Sequence, residues 1–101
     1  MNTKDKSIKL AELMELTDRT HANSIYHYVM WNGKKTAFTP YYGTDTGRAQ
    51  FAAILLKFPE VMQYSNLVWW DSYNDCQNPD YLPPTQANIL DEILRMNGVD
   101  V

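Results

Sequence analysis

Residues 25–39, IYHYVMWNGKKTAFT, contain two extended runs separated by Asn32-Gly33. The first run is dense in aromatic and β-branched residues, a composition typical of strands. Because Asn and Gly both accept the positive φ of a tight two-residue turn, this dipeptide between two extended runs is a strong hairpin signal. Pro40 ends the second run, since proline cannot donate to a strand ladder. The stretch therefore predicts a two-stranded antiparallel hairpin over about 25–39.

Three helices are predicted around this hairpin, over about 5–16, 45–58 and 85–97. The first and last carry apolar residues at helical spacing along one side and polar residues along the other. Asn97-Gly98 supplies a stop signal at the end of the last helix.

The middle helix differs from the other two because it is apolar on nearly all sides. One of Thr44, Asp45 and Thr46 can cap its start. We expect it to be the most buried helix, with Phe51 and Leu55, one turn apart, in the core.

Residues 66–70, NLVWW, predict a third strand. The order helix, hairpin, helix, strand, helix does not give the repeated βαβ units of a parallel sheet. The expected fold is therefore α+β: a small antiparallel sheet packed against three helices, in a single domain spanning residues 1–101. Whether the helices cover one or both faces of the sheet is left open by the sequence.

Composition places the chain among globular proteins, since 45% of its 101 residues are hydrophobic and 21% are charged. No apolar run approaches the roughly 18 residues of a spanning helix, and the polar start does not resemble a signal peptide. The single Cys76 cannot form an internal disulfide, which suits a reducing compartment. We expect a cytoplasmic protein with no membrane association.

Charge is distributed unevenly along the chain. Residues 1–58 hold eight Lys/Arg and five Asp/Glu, whereas residues 59–101 hold one and seven. An acidic half disfavours contact with nucleic-acid phosphates and permits docking on a basic protein surface. The alternative is an ordinary solvated acidic face. Only the lysines near the N-terminus and at the hairpin tip argue for nucleic-acid binding.

No cofactor or metal is expected. His21, His27 and Cys76 do not have the spacing of a metal site or of a nucleophile and its base. Asp71, Asp75 and Asp80 lie in a loop that lacks the alternating acids and central glycine of a calcium loop. The segment 43–47, GTDTG, is interpreted as a helix cap.

The segment 64–81 combines aromatic and acidic residues and is the predicted partner-binding surface. Tyr and Trp dominate protein interface hot spots, and acids among them would select a basic partner. The residues are Tyr64, Trp69, Trp70, Asp71, Tyr73, Asp75, Asp80 and Tyr81. The alternative is that the tryptophans fill the core. Because adjacent strand residues point to opposite faces, Trp69 and Trp70 can both be buried only if both faces are covered.

At residues 7–14 (SIKLAELM), 47–62 (GRAQFAAILLKFPEVM) and 84–98 (PTQANILDEILRMNG), the chain resembles small uncharacterised proteins encoded by tailed phages and prophages of enteric bacteria. Residues 40–45, PYYGTD, before an alanine-rich helix also resemble phage domains described as an α-β-α sandwich. The resemblance implies a phage setting, with the cytoplasm of the bacterial host as the location, and a fold, and it carries over no active site.

The favoured function is a non-enzymatic phage or prophage accessory protein that binds a host protein, such as a defence or replication component. Variants of this hypothesis are a phage protein as the partner and a homodimer formed through the aromatic face. The alternative is a small enzyme or ligand-binding domain, whose site would assemble from His21, His27, Asp71, Asp75 and Cys76.

Overall fold

The computed structural model describes residues 1–61 and 86–101. Within these residues it confirms a small α+β fold, with three helices and an antiparallel hairpin. In chain order the elements are α1 (Thr3–Leu13), β1 (Tyr28–Trp31), β2 (Lys34–Ala37), α2 (Asp45–Lys57) and α3 (Gln86–Met96). The predicted strand over 66–70 lies outside the described residues.

The hairpin forms where the sequence predicts it. Tyr28 pairs with Ala37 and Trp31 with Lys34, in antiparallel register. Asn32 and Gly33 both have positive φ, 51° and 80°, as a type I′ turn requires. The regular strands are shorter than the predicted 25–39, although the N–H of Phe38 still donates to the carbonyl of His27 at 2.7 Å.

A third extended segment, residues 17–20, runs along the other edge of β1. The N–H of Arg19 donates to the Tyr28 carbonyl at 2.8 Å, and the N–H of Met30 donates to the Thr17 carbonyl at 2.9 Å. An antiparallel bridge joins Asp18 to Val29. In the described part of the chain, β1 is therefore the central strand.

Helix α1 ends at Leu13, earlier than the predicted residue 16, because Glu15 takes a left-handed conformation with φ 58°. The N–H of Leu16 donates to the Ala11 carbonyl and that of Glu15 to the Glu12 carbonyl, both at 3.0 Å. This is a Schellman ending, which usually has glycine at the left-handed position.

Helix α2 begins as the sequence predicts, with the Thr44 hydroxyl accepting from the Gly47 N–H at 3.0 Å. Its buried residues are Gly47, Gln50 and Ile54. Phe51 and Leu55, expected in the core, are half-buried and pack against it.

The expectation that the middle helix is the most buried does not hold in the described residues. Leu56 is 84% exposed, and Ala49 and Ala52 on the same side are also exposed. Only one side of α2 meets the hairpin. The apolar residues on its other side therefore stay exposed.

Helix α3 contributes the largest share of the described core, and α1, the hairpin, Ile54 of α2 and Val61 supply the rest. The Schellman ending of α3 has Gly98 at φ 79°. Buried apolar residues are Leu10, Ala11, Val29, Phe38, Ile54, Val61, Ile89, Leu90, Ile93 and Leu94. Val29 and Phe38 lie on one face of the hairpin, whereas Tyr28 and Met30 on the other face stay partly exposed. None of the described helices is long and apolar enough to span a membrane.

Candidate interaction surface

His27 is fixed at the entrance to β1 by the side chain of Thr20. Its Nδ1 lies 2.8 Å from Thr20 Oγ1, and its side chain is buried. The same hydroxyl oxygen accepts from the Tyr28 N–H at 2.8 Å and lies 3.2 Å from the Tyr28 carbonyl. The hydroxyl donates to that carbonyl, so Thr20 links His27 to the backbone of Tyr28.

Asp18 also contacts Thr20, through the backbone of that residue. Its Oδ1 accepts from the Thr20 N–H at 2.7 Å. Hydrogen bonds from the Thr20 backbone and side chain, the largest causes, lower the pKa of Asp18, with a smaller contribution from nearby His27. The carboxylate lies 4.0 Å from His27 Nδ1.

This arrangement is not that of a catalytic triad. In a triad one imidazole nitrogen meets the nucleophile and the other meets the carboxylate. Here Thr20 and Asp18 both approach the same nitrogen of His27, and the Thr20 hydroxyl already binds the Tyr28 N–H. The three side chains therefore fix residues 17–20 against β1.

A small pocket opens beside His27, with a cavity volume of about 30 Å³. Side chains of α1, of the segment before β1 and of the segment after β2 line it. They include Lys4, Ser7, Tyr26, His27, Thr39 and Tyr42. The volume has room for about two water molecules, or for the end of one polar side chain.

The rim of this pocket is apolar and aromatic. Ile25 is 81% exposed, and Tyr26 and Tyr42 are 39% and 40% exposed. The two tyrosine rings meet edge to face, with centroids 6.0 Å apart. We call Ile25, Tyr26 and Tyr42 the tyrosine rim.

Both ends of the tyrosine rim are held by backbone contacts. Lys4 Nζ donates to the Ser24 carbonyl at 2.6 Å, so α1 fixes the segment that carries Ile25. A Cβ on Gly47 would lie 2.3 Å from the Tyr42 carbonyl oxygen, so glycine lets the first turn of α2 approach the backbone beneath Tyr42. Gln86 Nε2 donates to that same carbonyl at 3.1 Å.

The alternative hypothesis of a small enzyme or ligand-binding domain places two histidines in one site. In the structure their environments differ, since His21 is exposed and His27 is buried. The other members of that site, Asp71, Asp75 and Cys76, lie outside the described residues. Within 1–61 and 86–101, no three His, Cys, Asp or Glu side chains are grouped so that they could hold a metal.

The predicted partner-binding residues, Tyr64, Trp69, Trp70, Asp71, Tyr73, Asp75, Asp80 and Tyr81, all fall within 62–85 and lie outside the described residues. That surface stays a prediction. The sequence pattern does not predict the tyrosine rim, because it places Ile25 and Tyr26 within the first strand. The two-residue alternation of the hairpin was the available signal, since Tyr26 falls opposite the face that carries His27 and Val29.

The structure thus combines, on one side of the molecule, an exposed aliphatic side chain, a pair of contacting tyrosines and a small polar pocket. Such a combination suits recognition of another molecule's surface. No family model matches the chain, and no curated protein and no solved structure is significantly similar to it.

Proposed function

We propose that this chain is a binding protein that recognises a partner protein through the tyrosine rim. The observation that carries the proposal is Ile25, an isoleucine 81% exposed beside the contacting rings of Tyr26 and Tyr42. Burial of such a side chain in a partner contributes about 1.5–3 kcal/mol.

The rim is fixed before a partner arrives, which lowers the entropic cost of binding. Lys4 holds the Ser24 carbonyl next to Ile25, and the edge-to-face contact limits the rotamers of Tyr26 and Tyr42. A tyrosine loses little conformational freedom for the area it buries and keeps a hydroxyl for hydrogen bonding. These properties explain why tyrosines are common among interface hot spots.

The resemblance of residues 7–14, 47–62 and 84–98 to phage and prophage proteins supports a partner from the bacterial host. The function would then be that of an accessory protein acting on a host component by contact. The acidic aromatic segment 64–81 remains a second predicted contact, with a basic partner surface.

The test compares two arginine substitutions at equally exposed aliphatic positions. Ile25→Arg places a charge in the tyrosine rim, and Leu56→Arg places one on α2, where Leu56 is 84% exposed. Host proteins captured by the wild-type chain are identified and purified, and each variant is titrated with them in solution. We expect Ile25→Arg to weaken binding by about thirtyfold or more, the effect of losing one hot-spot residue.

Leu56→Arg should bind the same partner within about threefold, because α2 lies outside the proposed contact. Circular dichroism and the melting temperature should match the wild type in both variants, since both positions are exposed. Equal affinity of the Ile25→Arg and wild-type proteins for every captured partner would show that the tyrosine rim is not the binding surface.

A further inference from the structure

The pocket enclosed by the tyrosine rim is polar inside, and the formal charge among its described lining residues is positive only. Among the described residues that line it, Lys4 is the only one with a formal charge, and no Asp or Glu is present. His27, Ser7 and Thr39 add polar groups, and Phe38 forms an apolar wall. An anionic group would therefore be attracted, whereas a cation would meet the Lys4 ammonium.

The hydrogen-bond donors of this pocket are not exhausted by their observed partners. The Lys4 ammonium has three hydrogens, and its contact with the Ser24 carbonyl uses one. The Ser7 hydroxyl, in contrast, donates to the Thr3 carbonyl at 2.9 Å and offers the pocket only its lone pairs.

The size of the cavity limits what can enter. A volume of about 30 Å³ holds about two water-sized groups, which corresponds to the two oxygens of a carboxylate. A nucleotide, a sugar or an aromatic ring would not fit below the rim.

We propose that this pocket binds a carboxylate of the partner protein, an Asp or Glu side chain or a C-terminal carboxylate. The partner's apolar residues would cover Ile25 while the carboxylate accepts from Lys4. The inference rests on the proposed function, since the pocket opens within the tyrosine rim. The pocket would thus bind an acidic group of the partner, whereas the acidic segment 64–81 is predicted to bind a basic partner surface.

Sodium acetate serves as a probe of the pocket itself, with sodium chloride and methylammonium chloride at equal ionic strength as controls. Ring resonances of His27 and side-chain resonances of Lys4 are followed by NMR. Acetate should produce saturable shifts at both residues, and neither control salt should do so. If acetate shifts these resonances no more than sodium chloride does, or if methylammonium binds equally well, the pocket is not a carboxylate site.

Two lysines of α1 provide matched variants. Lys4→Met removes the donor and should weaken acetate binding by about tenfold, the loss of one charge-assisted hydrogen bond. Lys9→Met removes an exposed lysine of the same helix and should change binding by less than about twofold, since salt screens a distant surface charge. Lys4→Arg keeps a cation at the site and should retain most of the binding. Equal losses in Lys4→Met and Lys9→Met would overturn the proposal.

The partner titration separates this inference from the proposed function. Lys4→Met should weaken partner binding about tenfold in addition to weakening acetate binding. If Lys4→Met loses acetate but binds the partner normally, the pocket takes free anions, and the proposal of a partner carboxylate is wrong while the rim can still bind. If Ile25→Arg has no effect on any partner, the proposed function itself fails, whatever acetate does.

Discussion

Glu15 occupies a backbone position that glycine usually holds. Its φ of 58° lies in the left-handed region, where a Cβ costs about 1–2 kcal/mol. The comparable position at the end of α3 is Gly98, with φ 79°. The two helices thus end in the same motif, one with the favoured residue and one without it. The carboxylate of Glu15 lies 3.7 Å from Lys57 Nζ but is highly exposed, so this ion pair offsets little of the strain.

We predict that Glu15→Gly raises the free energy of unfolding by about 0.5–1 kcal/mol, because relief of strain exceeds the added entropy of the unfolded chain. Glu15→Ala keeps the Cβ and removes the ion pair, so it should give no gain. Gly98→Ala should lower stability by about 1 kcal/mol. Urea unfolding measures all three variants. Equal stabilities of the Glu15→Gly and Glu15→Ala proteins would show that the left-handed conformation is not costly here.

At the scale of elements, the buried side chain of Gln50 joins α2 to the end of the hairpin by hydrogen bonds. Since the N–H of Phe38 points toward β1, the peptide groups of Ala37 and Thr39 face the outer edge of β2. Gln50 accepts from the Thr39 N–H at 2.8 Å and donates to the Ala37 carbonyl at 2.9 Å. Its amide thereby takes the place of a neighbouring strand, and the residue is completely buried.

Gln50→Leu should lower the free energy of unfolding by about 2–4 kcal/mol, because two buried backbone groups lose their partners. Arg48→Leu, an exposed change in the same helix, should alter stability by less than about 0.5 kcal/mol. Amide hydrogen exchange gives the local readout. In Gln50→Leu, the Thr39 amide should lose protection relative to the Phe38 amide, which is bonded to His27. Loss of protection in equal proportion at both amides would contradict this role of Gln50.

The elements that the sequence predicts are those with local causes. Asn32-Gly33 encodes its own turn, Thr44 caps the residue three positions later, and Gly98 ends α3 through its own φ. Gln50 and Leu56 could not be placed in this way. A glutamine on a helix suggests a solvent-facing position, and a leucine suggests a buried one, until the packing of α2 on the hairpin exposes Leu56 and buries Gln50.

The sequence does not predict the tyrosine rim and its pocket, because they also depend on tertiary packing. The aromatic content of residues 25–31 identifies a strand, but the exposure of Ile25 depends on where that strand starts. The pocket brings together Lys4, His27 and Tyr42, which belong to three separate segments. Their convergence is a property of the tertiary fold, and no periodicity in the sequence reports it.

Across the whole molecule, α1, α3 and the segment after β2 meet at one partly buried carboxylate. Asp91 lies 3.2 Å from Lys6 Nζ, and it accepts from the Tyr41 hydroxyl at 2.8 Å. Lys6 also lies over the Tyr41 ring, 5.7 Å from its centroid. Lys6 and Asp91 are separated by 85 positions in the chain, so this cluster fixes the arrangement of distant segments.

Tyr41 should reveal this cluster through the dependence of stability on pH. Burial is the largest cause that raises the pKa of Tyr41, and the hydrogen bond to Asp91 and the negative charge of Asp91 add to it. An unfolded tyrosine loses its proton near pH 10, at about its usual pKa, while folded Tyr41 keeps its own. The unfolded state then binds fewer protons, so the free energy of unfolding falls as pH rises above about 10.

We therefore expect Tyr41→Phe to be less stable than the wild type by about 1–2 kcal/mol at pH 7, where the hydrogen bond to a charged acceptor is lost from a half-buried site. That difference should shrink as pH rises above about 10, because only the wild type loses stability through this tyrosine. Urea unfolding from pH 7 to 11 measures the difference, and absorbance at 295 nm follows tyrosinate formation. In Asp91→Asn, the decline should still begin near pH 10, where the unfolded tyrosine loses its proton, but it should be smaller, since the negative charge that raises the pKa of folded Tyr41 is gone. A difference between wild type and Tyr41→Phe that stays constant from pH 8 to 11 would show that Tyr41 does not keep its proton through this contact.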